Sequence, residues 1–149
     1  MKLKKQLKVK SFRNKWEKLL LNFQLSNAQI NSYIRDCFRD ASITYSQYLV
    51  LKILKAANGP VNMLYIKKRI VENDSDISRL IVRLKTLGYV DKKPNPTDKR
   101  HSEITITPEG LEQVELMNQT IHSIDEVFFN LSAKEVKQLN LLLDKIRVG

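Results

Sequence analysis

A mainly α-helical chain with one small pair of β-strands near its middle, an α+β arrangement, is predicted by three observations. Chain breakers are confined: Pro60, Pro94, Pro96 and Pro108, with Gly59, Gly88 and Gly110, fall between residues 59 and 110 and leave long unbroken flanks. Those flanks carry apolar residues at helical spacing. Between them, two short strand-like stretches surround a proline-rich basic loop. The chain has 149 residues, which favours one domain. A chain of that length buries about 70% of its unfolded surface and folds without a staple.

The first helix is expected from about residue 10 to about residue 40. Phe12, Trp16, Leu19, Leu20 and Phe23 recur at helical spacing, and Ile30, Tyr33, Ile34, Cys37 and Phe38 resume it after the polar Ser26-Asn27. Either one helix or two with a bend near Ser26 satisfies that pattern. Such length exceeds what a small monomer covers, so part of it is expected to pack on another subunit.

The next helix has a defined start. Thr44-Tyr45-Ser46-Gln47 fits a capping box, with Ile43 and Tyr48 placed as its hydrophobic staple. Tyr48, Leu51, Ile53 and Leu54 carry it to the stop at Asn58-Gly59-Pro60. Asn62 can cap a short third helix through Met63, Ile66 and Ile70. After Asn73-Asp74-Ser75, a fourth helix is predicted from Ser75 to Leu87, ending at Gly88. Ile77, Leu80, Ile81, Leu84 and Leu87 form its apolar stripe, and Asp76, Ser78, Arg79, Arg83, Lys85 and Thr86 its polar face.

Tyr89 to Lys93 can form a strand, and Pro94 to Arg100 is expected as a loop, because two prolines and an asparagine forbid a regular ladder. Ser102, Ile104 and Ile106 alternate with Glu103, Thr105 and Thr107, the period of a half-buried strand. Thr107-Pro108 then starts a helix, with proline at its first position. Val114, Met117, Ile121, Ile124 and Phe128 follow a heptad rhythm, as helix-on-helix packing requires. A second capping box at Ser132-Ala133-Lys134-Glu135 opens a last helix, whose seam is Val136, Leu139, Leu143 and Ile146.

Charge divides along the chain. Of 26 basic and 16 acidic residues, eight basic and one acidic lie in residues 1–18, twelve basic and six acidic in 45–106, and four basic and seven acidic in 107–149. A basic middle beside an acidic end suggests one surface for a polyanion and another that faces elsewhere; solvated lysines are the plain alternative. No apolar run approaches a membrane span, no signal-peptide core is present, and the single Cys37 points to a reducing interior. A cytoplasmic chain is expected.

Helix, short helix, helix, strand, basic loop, strand is the order of a winged helix-turn-helix. The stretch from Ile43 to Gly110 resembles the MarR family of bacterial transcriptional regulators, through ITYSQYLVLKIL (43–54), SDISRLIVRLKTLGYVDKK (75–93), NPTDKR (95–100) and ITITPEG (104–110). The flanking helices match the family layout too. The resemblance implies one MarR-like domain over 1–149: a winged helix-turn-helix DNA-binding lobe at 43–107, with 1–42 and 108–149 forming helical dimerisation regions. It implies a homodimer whose fourth helix enters a major groove and whose wing lies against the neighbouring minor groove.

The residues themselves are consistent with that. Arg79 and Arg83, one turn apart, can reach phosphates or guanine edges, where a bidentate contact gives about 1–3 kcal/mol of discrimination. Ser75 and Ser78 sit in the first turn, where backbone N–H groups and the helix dipole favour phosphate. Asp76 repels phosphate, so reading a cytosine amine or strengthening the helix start both stand open for it. Asp98-Lys99-Arg100 matches the family's Asp-x-Arg: by resemblance Arg100 enters the minor groove and Asp98 braces the wing by an ion pair, with Lys99 beside them. An arginine there reads groove shape more than bases. The basic start is open between a DNA-contacting arm, a membrane-surface segment bearing Phe12 and Trp16, and a frayed lead into a dimer helix.

Enzymatic chemistry has little support. His101 and His122 lack a Ser or Cys partner at motif spacing, Asp125 and Glu126 diverge on a helix, and no Walker loop or GxGxxG is present. No cofactor, metal or membrane partner is expected. Some family members sense peroxide through a cysteine near the start of the first helix, but Cys37 lies only six residues before Ile43. Its register with Ile30, Tyr33 and Ile34 favours packing. Many members bind small aromatic or anionic effectors between the dimer helices and the DNA-binding lobe, a junction that here would involve Tyr33, Phe38, Tyr45 and Tyr48. The expected function is a repressor on a pseudo-palindromic double-stranded DNA operator, released by an effector of unspecified identity. Two other classes stand beside it: a winged-helix protein-interaction module, which does not need a basic wing tip, and sequence-independent DNA compaction, which predicts steep salt dependence and no preferred site.

Overall fold

A computed structural model describes residues 3–71, 74–95 and 102–147, without the side chains of Asp74, Ser75 and Gln119. It divides into two compact units: Phe38–Glu126, and the described parts of Met1–Cys37 with Val127–Gly149.

The larger unit holds α3 (Tyr45–Ala57), α4 (Met63–Lys67), α5 (Asp74–Thr86), β1 (Val90–Pro94), β2 (Ser102–Ile106), α6 (Pro108–Leu116) and α7 (Asn118–Asp125). Its core is built from Leu51 and Leu54 of α3, Ile66 of α4, Ile77, Ile81 and Leu84 of α5, Val90 of β1 and Ile104 of β2, all essentially inaccessible to water. Each comes from an apolar stripe or an inward strand position, so one cluster ties the five elements together.

Local signals act where they were read. The Gln47 backbone N–H donates to Thr44 Oγ1 at 3.3 Å and the Thr44 N–H donates to Gln47 Oε1 at 2.9 Å, completing the capping box. Asn62 Oδ1 accepts from the Tyr65 N–H at 2.9 Å at the start of α4. Helix α3 stops in the left-handed region at Asn58 (φ 51°, ψ 36°), so asparagine supplies the cap and Gly59 does not.

The strands pair antiparallel, with Val90 opposite Ile106 and Pro94 opposite Ser102. Pro94 thus closes the ladder instead of opening the loop, tolerated because it is the terminal pair. Val61 adds a one-residue bridge on the other side of β2: its N–H donates to the Ile104 carbonyl at 3.0 Å, and the Ile104 N–H returns to Val61 at 2.8 Å.

The expected continuous helix after Pro108 is divided. Helix α6 ends where Met117 (φ −80°, ψ −4°) tightens the chain, α7 follows, and a 3₁₀ turn spans Glu126–Phe128. Asn118 and Thr120 are weak helix formers at that point, and the Asn118 amide donates to Glu115 Oε2 at 2.9 Å.

The second unit holds α1 (Leu3–Gln6), α2 (Lys15–Cys37) and α8 (Ala133–Arg147). Helix α2 starts later than residue 10 because Asn14 Oδ1 caps it, accepting from Trp16 at 3.0 Å and Glu17 at 2.9 Å. It then runs through Ser26 without a break. The box at Ser132 opens α8, with the Ser132 N–H donating to Glu135 Oε2 at 2.8 Å. Helices α2 and α8 contain no buried residue: Trp16, Leu19, Leu20 and Phe23 on one, and Val136, Leu139, Leu142 and Ile146 on the other, are exposed. Ile30, Tyr33, Ile34 and Cys37 are half-buried while the residues between them are exposed, the register predicted for Cys37 as a packing residue. No helix among the described residues is long and apolar enough to cross a membrane.

Candidate nucleic-acid interface

Helix α5 is held from behind and at its end. Ile77, Ile81 and Leu84 sit in the core with no accessible surface. At the C-terminus Gly88 adopts φ 78°, its N–H donates to the Lys85 carbonyl at 3.0 Å, and the Tyr89 N–H donates to Leu84 at 3.0 Å. That pair of bonds is a Schellman cap, which needs the left-handed backbone that glycine adopts without strain.

The start of α6 locks onto this cap. Thr107 Oγ1 donates to the Gly88 carbonyl at 2.7 Å and accepts from the Gly110 N–H at 3.1 Å, while the Thr107 N–H donates to the Tyr89 carbonyl at 3.1 Å. Gly110 lies so close that a Cβ there would fall 2.2 Å from the Tyr89 carbonyl oxygen and 2.9 Å from Ile106 Cγ1. The ITITPEG segment therefore fixes the end of α5 through a side-chain hydroxyl at Thr107 and a close backbone approach at Gly110 that a Cβ would block.

With one face buried and the end clamped, α5 presents Ser78, Arg79, Val82, Arg83 and Thr86 to solvent around an open depression of about 330 Å³. The Arg79 side chain is 84% exposed and Asp76 Oδ1 lies 4.0 Å from its Nη1. A pair that long and that exposed contributes little, so the guanidinium stays available to a stronger anion. Asp76 is near the helix N-terminus, where its charge also favours the dipole. Ser75 lies in the first turn, and its side chain is outside what the structure describes.

Asp98, Lys99 and Arg100, together with His101, lie outside the described residues. The stem of their loop is described: the Asn95 side-chain amide donates to Glu103 Oε1 at 2.8 Å across its base.

Two features were not anticipated from the sequence. Just past the end of α4 the Arg69 guanidinium stacks 3.5 Å from the Tyr65 ring centroid, and its Nη1 donates to the Tyr65 carbonyl at 3.1 Å. The i, i+4 spacing of Tyr65 and Arg69 was the signal for that contact. Val82, 62% exposed in the middle of the charged face, is the other. Its signal was an apolar residue standing off the stripe.

The aromatic group near the expected effector junction is partly interior. Phe38 and Tyr48 are buried, with ring centroids 6.2 Å apart, and Tyr45 meets Phe38 edge-on at 5.6 Å. Burial pushes the Tyr48 hydroxyl above its ordinary pKa, with Tyr45 and Glu115 adding and Lys55 opposing. Tyr33 belongs to the other unit. His122, Asp125 and Glu126 are exposed, and no group of three or more His, Cys, Asp or Glu that could hold a metal occurs among the described residues.

Known proteins give the same arrangement a context. The profile of winged helix DNA-binding domains matches residues 43–110. The chain is 31% identical over 127 residues to the multiple antibiotic resistance protein MarR of Salmonella typhimurium, covering 83% of each. It is 32% identical over 132 residues to the HTH-type transcriptional regulator MgrA of Staphylococcus aureus, covering 85% of this chain and 86% of MgrA. In structure it superposes on a mutant MarR from E. coli complexed with operator DNA with a TM-score of 0.79 at 26% identity, covering 91% of this chain and 98% of that one.

Proposed function

The chain belongs to the MarR family, and from that premise we propose that it is a homodimeric repressor that binds a pseudo-palindromic DNA operator through α5 and the wing. It is a DNA-binding transcriptional regulator. The observation that carries the reading of its site is the outward face of α5. A helix buried along one side and capped at its end holds Ser78, Arg79 and Arg83 toward solvent, and the stem of a basic wing follows directly. In a helix-turn-helix the second helix enters the major groove.

Arg79 and Arg83 are assigned to guanine edges or phosphates, Ser75 and Ser78 to phosphate at the start of the helix, and Arg100 to the minor groove, with Asp98 and Lys99 in the wing. Residues 43–107 form the DNA-binding lobe, and 1–42 with 108–149 the dimerisation regions. The exposed apolar seams of α2 and α8 support that division, because an unburied stripe of this length asks for a partner helix. A small effector that releases the operator fits the same family. A cytoplasmic, non-enzymatic protein completes the reading.

Selection from a random duplex pool at about 150 mM salt tests it. An inverted repeat should be enriched, with half-sites one helical turn apart, about 34–36 Å. Retention without enrichment would point to compaction by the lysines, and no retention to a protein-binding module.

A further inference from the structure

The outward face of α5 is not uniformly polar. Val82 stands two residues from both Leu80 and Leu84, which at 3.6 residues per turn sets it about 200° from each, opposite the buried stripe. It occupies the centre of an i, i+4, i+8 row formed by Ser78, Val82 and Thr86, and Arg79 and Arg83 make the row alongside. The Thr86 hydroxyl donates to the Val82 carbonyl at 3.1 Å, so its polar group is engaged by its own helix and its methyl is the part left for a partner. These five residues line the open depression of about 330 Å³.

We propose that Val82, with the methyl of Thr86, reads the 5-methyl group of a thymine in each half-site. The inference rests on α5 being the helix that enters the major groove. A single exposed valine is ordinary on a protein surface. This one lies at the middle of the face that carries both arginines, where a polynucleotide is the occupant that their charge selects. Against phosphate a valine gains nothing, since it offers no donor. In the major groove thymine alone of the four bases presents a methyl, and an apolar side chain is its natural contact. The arginines then select guanine or phosphate, while Val82 separates thymine from cytosine at a neighbouring step.

The probe is the duplex enriched from the random pool, with each thymine of one half-site replaced in turn by deoxyuridine. That change removes the methyl and keeps base pairing and every polar edge. Wild-type protein should bind one of the substituted duplexes about fourfold more weakly, the loss for one methyl-sized apolar contact. Val82→Ala should bind the thymine and deoxyuridine forms of that duplex within about 1.5-fold of each other. No deoxyuridine effect at any position, or an effect as large in Val82→Ala as in wild type, overturns the assignment and leaves site-specific binding standing. A pool with no enriched site overturns the groove-entering reading and this assignment with it.

Discussion

Thr107 Oγ1 donates to the carbonyl of Gly88 at 2.7 Å, a bond that spans 19 residues and joins the start of α6 to the end of α5. The same oxygen accepts from Gly110 at 3.1 Å, so one hydroxyl caps α6 and closes α5. Removing it takes away an N-cap and a carbonyl's partner together. Thr107→Ala should lower stability by about 1–2 kcal/mol in urea unfolding, and Thr107→Ser should recover most of that.

Gly110 is required for a different reason. A methyl placed 2.2 Å from the Tyr89 carbonyl oxygen meets backbone, which cannot swing aside as a long side chain can. Gly110→Ala should cost about 2–3 kcal/mol by the same measurement despite alanine's better helix propensity. Stability equal to wild type would mean that α6 can shift away from Tyr89.

These contacts show what was legible beforehand and what was not. The boxes at Thr44 and Ser132, the caps at Asn62 and Thr107 and the stripe of α5 are local: each needs only residues within one or two turns, and each formed as read. The break at Met117 was hidden because the heptad rhythm of Val114, Met117 and Ile121 continues through it. Only the weak propensities of Asn118 and Thr120 marked it. The bridge from Val61 to Ile104 joins residues 43 apart, and no pattern within either segment announces it. Of the candidate site, Ser78, Arg79 and Arg83 could be read from polarity opposite the stripe. Val82 could not, because it belongs neither to the apolar stripe nor to the polar residues opposite it.

The carboxylate of Glu115 gives the larger unit a pH-dependent contact. Hydrogen bonds from Lys55 and then Asn118, with the Lys55 charge, hold its pKa below the ordinary 4.5. A depressed carboxylate pKa stabilises the fold above the unfolded value and loses that contribution as pH falls through the folded one. The effect is small, because both partners are exposed. Glu115→Gln should therefore leave the midpoint of thermal unfolding at pH 7 only slightly lower, and make its decline below about pH 4.5 shallower than in wild type.

Dimer formation should depend on the unburied seams of α2 and α8. Phe23, 53% exposed, and Leu139, 43% exposed, lie on those seams. Phe23→Glu combined with Leu139→Glu should shift sedimentation to the monomer, since charge in an apolar helix–helix seam is not compensated. An unchanged dimer would assign the interface to other faces.

In the wing, Arg100→Ala should weaken operator binding about tenfold at fixed salt, the scale of one charged hydrogen-bonded contact, while the protein sediments as wild type. Equal affinity would remove the minor-groove role.

The central claim is that the outward face of α5 reads sequence, with at least one of Arg79 and Arg83 on a guanine edge and not on phosphate alone. Its most direct test is the ratio of affinities for the enriched duplex and a scrambled one, measured by fluorescence anisotropy at about 150 mM salt for wild type and for Arg79→Ala with Arg83→Ala. Wild type should prefer the enriched duplex by about a thousandfold or more. The double variant should lose at least about tenfold of that ratio, beyond any uniform loss from missing phosphate contacts. An undiminished ratio, with both affinities lowered equally, would contradict the account: the arginines would then hold the DNA without reading it.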